Sequence, residues 1–148
     1  MQISYTTTHI GVIAETRVLN IGGVCSDDYQ LCDTGKQQSP VNITKSVKAD
    51  LPPLQFNYNP IPLIIQNNGH TIGVKAGSAG SVTIGEESYQ LVQFHFHSPS
   101  ENVINTKHTE MEVHLVHHNP QTQTWAVVAI LLEQGESANP LVRIPTLV

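Results

Sequence analysis

The sequence predicts a mainly β domain with long loops, and three observations carry that reading. Residues Leu91 to His97 and Met111 to His117 alternate side-chain character with a period of two. Trp125 to Leu132, WAVVAILL, is a continuous apolar run of strand length, the pattern of a strand buried on both faces. No segment keeps a period of 3.6 over three turns, as an amphipathic helix would.

Taken in order, the elements are these. Before Ser39 the pattern is weak, and Gly22-Gly23 and Thr34-Gly35 read as loop. Leu54 to Tyr58 alternates, and Leu63 to Gln66 is a short apolar run following Pro60 and Pro62. His70 to Lys75 and Ser81 to Ile84 read as strands separated by the turn-rich Ala76-Gly77-Ser78-Ala79-Gly80. In the strand Leu91 to His97, strict alternation puts Leu91, Gln93, His95 and His97 on one face and Val92, Phe94 and Phe96 on the other. In Met111 to His117, Glu112, His114 and Val116 share a face opposite Met111, Val113 and Leu115. The long connection from Ser98 to Glu110 can return the chain antiparallel to the first of these strands.

At 148 residues the chain reads as a single domain, residues 1–148, large enough to bury a core. Charged residues make up 13%, net charge is −5 and no basic cluster is visible. That balance argues against nucleic acid and anionic membranes as partners, and no apolar run approaches the ~18 residues of a membrane span. The start, MQISYTTTHIGVIAETR, lacks the basic and apolar regions of a signal peptide. Cys25 and Cys32 stand in a C-x6-C spacing, neither zinc-knuckle nor thioredoxin-like; they pair with each other or stay free.

The stretch QFHFHSPSE, Gln93 to Glu101, concentrates the chemistry. With neighbouring strands about 4.8 Å apart, His114 can stand beside His95 and His97, and three imidazoles would then converge on one point. A catalytic zinc takes three protein ligands and keeps a fourth position for water. Three neutral imidazoles leave the full metal charge to lower the pKa of that water. Metal-bound histidines also need partners on the other ring nitrogen. Gln93 lies two residues before His95 and Glu112 two before His114, each on the same face as its histidine. The bland alternative is a pair of exposed histidines on a polar strand face. A rival is the cupin motif, since His95-x-His97-x3-Glu101 fits its core; but the flanking glycines it needs are Tyr89 and His108 here.

QFHFHSPSENVINTKHTEMEVHLVHHN resembles the zinc-site hairpin of the α-class carbonic anhydrases. GKQQSPVNI, Gly35 to Ile43, is similar to that family's N-terminal signature, NNGHTIGV to its proton-shuttle strand, and WAVVAILLEQG to the strand after the zinc hairpin. The resemblance runs from about Asp27 to Pro140 with its elements in order. It implies a twisted, mostly antiparallel sheet of the α-carbonic-anhydrase type and a cis bond at Ser39-Pro40. It implies hydration of carbon dioxide to bicarbonate on a Zn2+ cofactor held by His95, His97 and His114, with Gln93 and Glu112 as their outer partners. His70 would pass protons to solvent, Asn68 would lie in the polar part of the cavity, and Val116 would line the carbon dioxide pocket. Glu101 would be the buried glutamate that orients a threonine hydroxyl and through it the reacting hydroxide. Relatives of this kind are periplasmic or secreted.

The departures shape further expectations. Two family tryptophans correspond to Ile10 and Ile21, within His9-Ile10-Gly11 and Asn20-Ile21-Gly22, and a cavity asparagine corresponds to Gly73. After Asn139-Pro140 the family continues for almost half its domain, whereas LVRIPTLV does not resemble that continuation. The part without a counterpart holds the threonine partner of Glu101, the acceptor for His97 and the usual disulfide partner of Cys32. The chain therefore reads as an incomplete domain with an unpaired edge at Trp125 to Leu132. Weak catalysis, or a non-catalytic zinc- or protein-binding module, is the alternative function.

Overall fold

The computed structural model of the chain describes residues 5–15, by backbone alone, and residues 39–77 and 79–135. Ten strands form there: β1 Tyr5–Glu15, β2 Asn42–Ile43, β3 Gln55–Tyr58, β4 Ile65–Asn67, β5 Ile72–Lys75, β6 Gly80–Ile84, β7 Glu87–His97, β8 Val103–Ile104, β9 Met111–Asn119 and β10 Thr124–Gln134. The described residues contain no helix. The fold is thus mainly β, as the periodicities predict, and the strands from β3 to β10 that the sequence marks lie within a few residues of their predicted bounds. Eight strands make one antiparallel sheet in the order β1-β10-β9-β7-β5-β4, with β6 also on β7 and β3 on β6. β2 and β8 form a separate parallel pair.

The eleven residues of β7 organise this sheet. Its first half pairs with β6 and its second half with β5, along one edge, while β9 lies along the other. Opposite residues in an antiparallel pair share a face. His95 stands opposite His114, His97 opposite Glu112, and Gln93 opposite Val116. The next pair upstream is Leu91 with His117, so β7 carries one extra residue there, a β-bulge at Val92. The bulge corrects strict alternation. Leu91 is not on the histidine face; it is buried on the opposite one, with Ala76 and Ala79, against Phe94, Leu115 and Ile61. Periodicity could not show this, because a single inserted residue reverses the face without changing composition.

Two further expectations are corrected at the edge of the sheet. The weak N-terminal pattern hides a strand, β1, and β1 pairs with β10 from Tyr5↔Gln134 to Glu15↔Trp125. The edge of Trp125 to Leu132 is therefore paired on both sides, by β1 and by β9. His9-Ile10-Gly11 lies inside this strand. Asn20-Ile21-Gly22, Cys25 and Cys32 fall outside the described residues.

On the face away from His95, β3 is tied to β9 and β10 by a polar pair. His117, fully buried, donates through Nδ1 to the Ala126 carbonyl at 3.3 Å and accepts at Nε2 from the Tyr58 hydroxyl at 2.7 Å. Burial pushes the Tyr58 phenol up to about 12 and holds the His117 imidazole below its ordinary value. Where β3 meets β6, Gly80 has φ +115°, and a Cβ there would fall 2.0 Å from the Asn57 carbonyl oxygen. Only glycine permits that approach. Ser39-Pro40 is cis, as the resemblance implies, and so is Ser98-Pro99.

Candidate metal centre

His95 and His97 come from the end of β7, and His114 from the middle of β9. The three rings pack edge-on or tilted, with centroids 4.6 to 5.3 Å apart. One ligand nitrogen from each lies within 4.8 Å of the others. Among the described residues this is the one group of three or more metal-ligating side chains so placed.

Each ring has an acceptor beside its second nitrogen. His95 Nδ1 donates to Gln93 Oε1 at 2.9 Å, which leaves Nε2 for a metal. His97 Nδ1 lies 3.2 Å from Glu101 Oε1, and its Nε2 is buried with no partner. His114 Nε2 lies 3.1 Å from Glu112 Oε1, an ion-pair contact without hydrogen-bond alignment, and its Nδ1 remains for a metal. An unpartnered buried nitrogen beside two more imidazoles is what a tridentate metal site requires, so these residues fit a metal ion. Burial, and then the neighbouring imidazoles His114 and His97, lower the His95 pKa to about 4. Burial also lowers that of His97, against the opposing pull of Glu101. Both rings are thus neutral at physiological pH, the form that ligates.

Glu112 is wholly buried, and its carboxylate is fully used. Oε2 accepts from the backbone N–H of Glu101 at 2.7 Å and of Asn102 at 2.9 Å. Oε1 accepts from Asn102 Nδ2 at 2.6 Å and faces His114. Burial alone would raise its pKa; the contacts with His114 and Asn102 outweigh burial and hold it at about 2.

The remaining sequence-marked residues are placed as follows. Val116, buried, stands opposite Gln93 on one side and Val127 on the other, so two valines adjoin on the histidine face. His70 is exposed in the turn between β4 and β5. Asn68 makes that turn: its Oδ1 accepts from the His70 and Thr71 N–H groups, each at 2.9 Å, and Gly69 adopts φ +87°. Thr71 Oγ1 donates to the Phe96 carbonyl at 2.7 Å, tying the turn to the end of β7 between the two histidines. Gly73 stands opposite His95, and a Cβ there would make ordinary van der Waals contacts, the nearest at 3.4 Å from the Phe94 carbonyl oxygen. The expectation of a buried Glu101 is corrected: its side chain is 43% exposed, and its Oε1 lies 3.2 Å from His97 Nδ1, beside the ring whose acceptor was expected in the part without a counterpart. Asn102 and Val127 went unmarked. The register of β9 with β10 was the available signal for Val127; for Asn102, in an aperiodic loop, there was only its position beside Glu101.

The fold and the three-imidazole group together define a class, mainly β proteins with a candidate metal site on one face of an antiparallel sheet. Within it the chain belongs to the eukaryotic-type carbonic anhydrase family, whose model matches residues 23–144. A carbonic anhydrase of Neisseria gonorrhoeae is 45% identical over 116 residues, covering 78% of this chain and 46% of that protein. One of Klebsiella pneumoniae is 44% identical over 115 residues, covering 76% and 46%. The structure of the Photobacterium profundum α-carbonic anhydrase superposes with a TM-score of 0.65 at 33% identity, covering 76% of this chain and 52% of that one. The chain thus spans about half the length of the curated relatives it matches. His9-Ile10-Gly11 lies outside the family match.

Proposed function

We propose that this chain carries the metal half of a zinc-dependent carbonic anhydrase site, for the reversible hydration of carbon dioxide to bicarbonate. The observation that carries the reading is the convergence of His95, His97 and His114, each ring with an acceptor beside its second nitrogen. A zinc ion held by three neutral imidazoles supplies a Lewis acid that makes water nucleophilic near neutral pH, chemistry for which carbonic anhydrases are themselves the standard example.

The chain's own residues do the rest. Burial keeps His95 and His97 unprotonated and available. Gln93, Glu101 and Glu112 fix the ring orientations, so the ligand set is preorganised before a metal arrives. Val116 and Val127 offer an apolar wall beside the ligands, suited to a small uncharged substrate such as carbon dioxide. His70, exposed at the turn, is the residue that would pass protons to solvent.

The test is stopped-flow hydration of carbon dioxide by the zinc-loaded chain, with a sulfonamide control. Sulfonamide-sensitive turnover above the rate of free zinc supports the proposal. One zinc bound per chain without turnover would instead assign the non-catalytic zinc-binding role.

A further inference from the structure

Asn102 is the buried polar residue in the loop between β7 and β9 for which the proposed reaction supplies no task. Only 3% of it is exposed, and both ends of its amide are engaged. Oδ1 accepts from the Val41 N–H at 2.8 Å, and Nδ2 donates to Glu112 Oε1 at 2.6 Å. Its own backbone N–H reaches the other oxygen, Glu112 Oε2, at 2.9 Å. The orientation of the amide follows from chemistry. A backbone N–H donates only, so the atom facing Val41 is the oxygen, and the atom facing Glu112 is the NH2 donor.

We infer that Asn102 is a positioning residue for His114, acting through Glu112. Val41 sets the amide, the amide and the two backbone N–H groups set the carboxylate, and the carboxylate sets which nitrogen of His114 carries the proton. His114 Nε2 lies 3.1 Å from Glu112 Oε1, so a proton on Nε2 would sit beside the carboxylate and leave Nδ1 as the free lone pair. The base of the chain of contacts is the parallel pair of β2 and β8, which flank Val41 and Asn102 and hydrogen-bond Val103 N–H to the Val41 carbonyl at 3.1 Å. A segment remote from the histidines in sequence thereby helps hold one of them. The inference rests on the reading of His114 as a metal ligand.

Two near-isosteric variants test it in the full chain. Asn102→Asp keeps the acceptor for Val41 and removes the donor to Glu112; Asn102→Leu removes both. Ser100→Ala is the control, because Ser100 Oγ bonds the same loop, to the Asn102 carbonyl and from Thr109 N–H, without touching Glu112. Two quantities are read: zinc affinity by chelator competition, and the 15N ring shifts of His114 in the metal-free chain. Both Asn102 variants should lose affinity by about tenfold or more, the range for partners beyond the ligands, and move proton occupancy from Nε2 toward Nδ1. Ser100→Ala should leave the ring shifts unchanged. Affinity within twofold of the parent, or an equal loss in Ser100→Ala, overturns the inference. If neither Asn102 variant folds, the parent decides: a His114 ring protonated on Nδ1 in the metal-free chain overturns it, and one protonated on Nε2 upholds it. A parent that binds one zinc per chain but does not hydrate carbon dioxide would sink the proposed function and leave this inference standing.

Discussion

Replacing Glu112 by glutamine changes one atom and has a consequence that can be followed bond by bond. The carboxylate offers two acceptors and meets four groups: Glu101 N–H, Asn102 N–H, Asn102 Nδ2 and His114 Nε2. Glutamine offers one oxygen and one NH2. If the oxygen keeps the two backbone donors, the NH2 confronts Asn102 Nδ2 and His114 Nε2–H, donor against donor. Asn102 cannot turn over without abandoning Val41. His114 can shift its proton, but then the proton sits on Nδ1, the atom left for the metal. One buried donor without a partner costs about 1–3 kcal/mol, which for a chain of this size is a fall of about 2–4 °C in Tm per kcal/mol. Zinc affinity should fall roughly 10–100-fold. Thermal unfolding of the metal-free chain reads the first quantity and chelator competition the second. An unchanged Tm together with affinity within twofold would mean that Glu112 does not govern His114, and the derivation would be refuted.

Other outcomes follow from the same structure. His97→Ala should abolish stoichiometric zinc binding, as measured by metal analysis after dialysis, because the chelate falls to two imidazoles. Tyr58→Phe should cost about 1–3 kcal/mol in urea unfolding, since it leaves the buried Nε2 of His117 without its donor. The metal-free chain should lose stability as pH falls below about 6.5. His95 and His117 bind protons more weakly folded than unfolded, so protons favour the unfolded state in that window, and His117→Gln should make the dependence shallower in pH-dependent unfolding. Proline at Val12 or at Ile13 should expose the edge of β10 in at least one of the two variants, because adjacent N–H groups alternate into the ladder; light scattering should show association. Thiol counting before and after reduction, under anaerobic conditions, should find Cys32 free or bonded to Cys25.

Much of the centre of the sheet was legible because it rests on local period. His95, His97, Glu112 and His114 fall on one face by alternation alone, and β10 declares itself by an unbroken apolar run. What period cannot show is pairing at long range. β1 begins Tyr5-Thr6-Thr7-Thr8, without alternation, and is a strand because β10 has a free edge to offer it. β2 and β8 are two residues each, too short for any pattern, and exist through each other. The bulge at Val92 is invisible for a different reason: it conserves composition and alters phase. Glu101 and Asn102 sit in a loop where neighbours in space are not set by any repeat, so their contacts with His97 and Glu112 emerge only when β9 closes on β7.

The pairing of β1 with β10 also sets a schedule. The two strands are about 120 residues apart in the chain, and at about 5–20 residues per second the first waits roughly 6–24 s for the second to be synthesised. During that interval β1 lacks the partner it has in the folded sheet. Contacts of such long separation close late and slowly. β7 and β9, which carry the three histidines, both precede β10 in the chain, so they are synthesised before the strand that β1 joins. Metal present during synthesis would meet those histidines before β1 closes on β10.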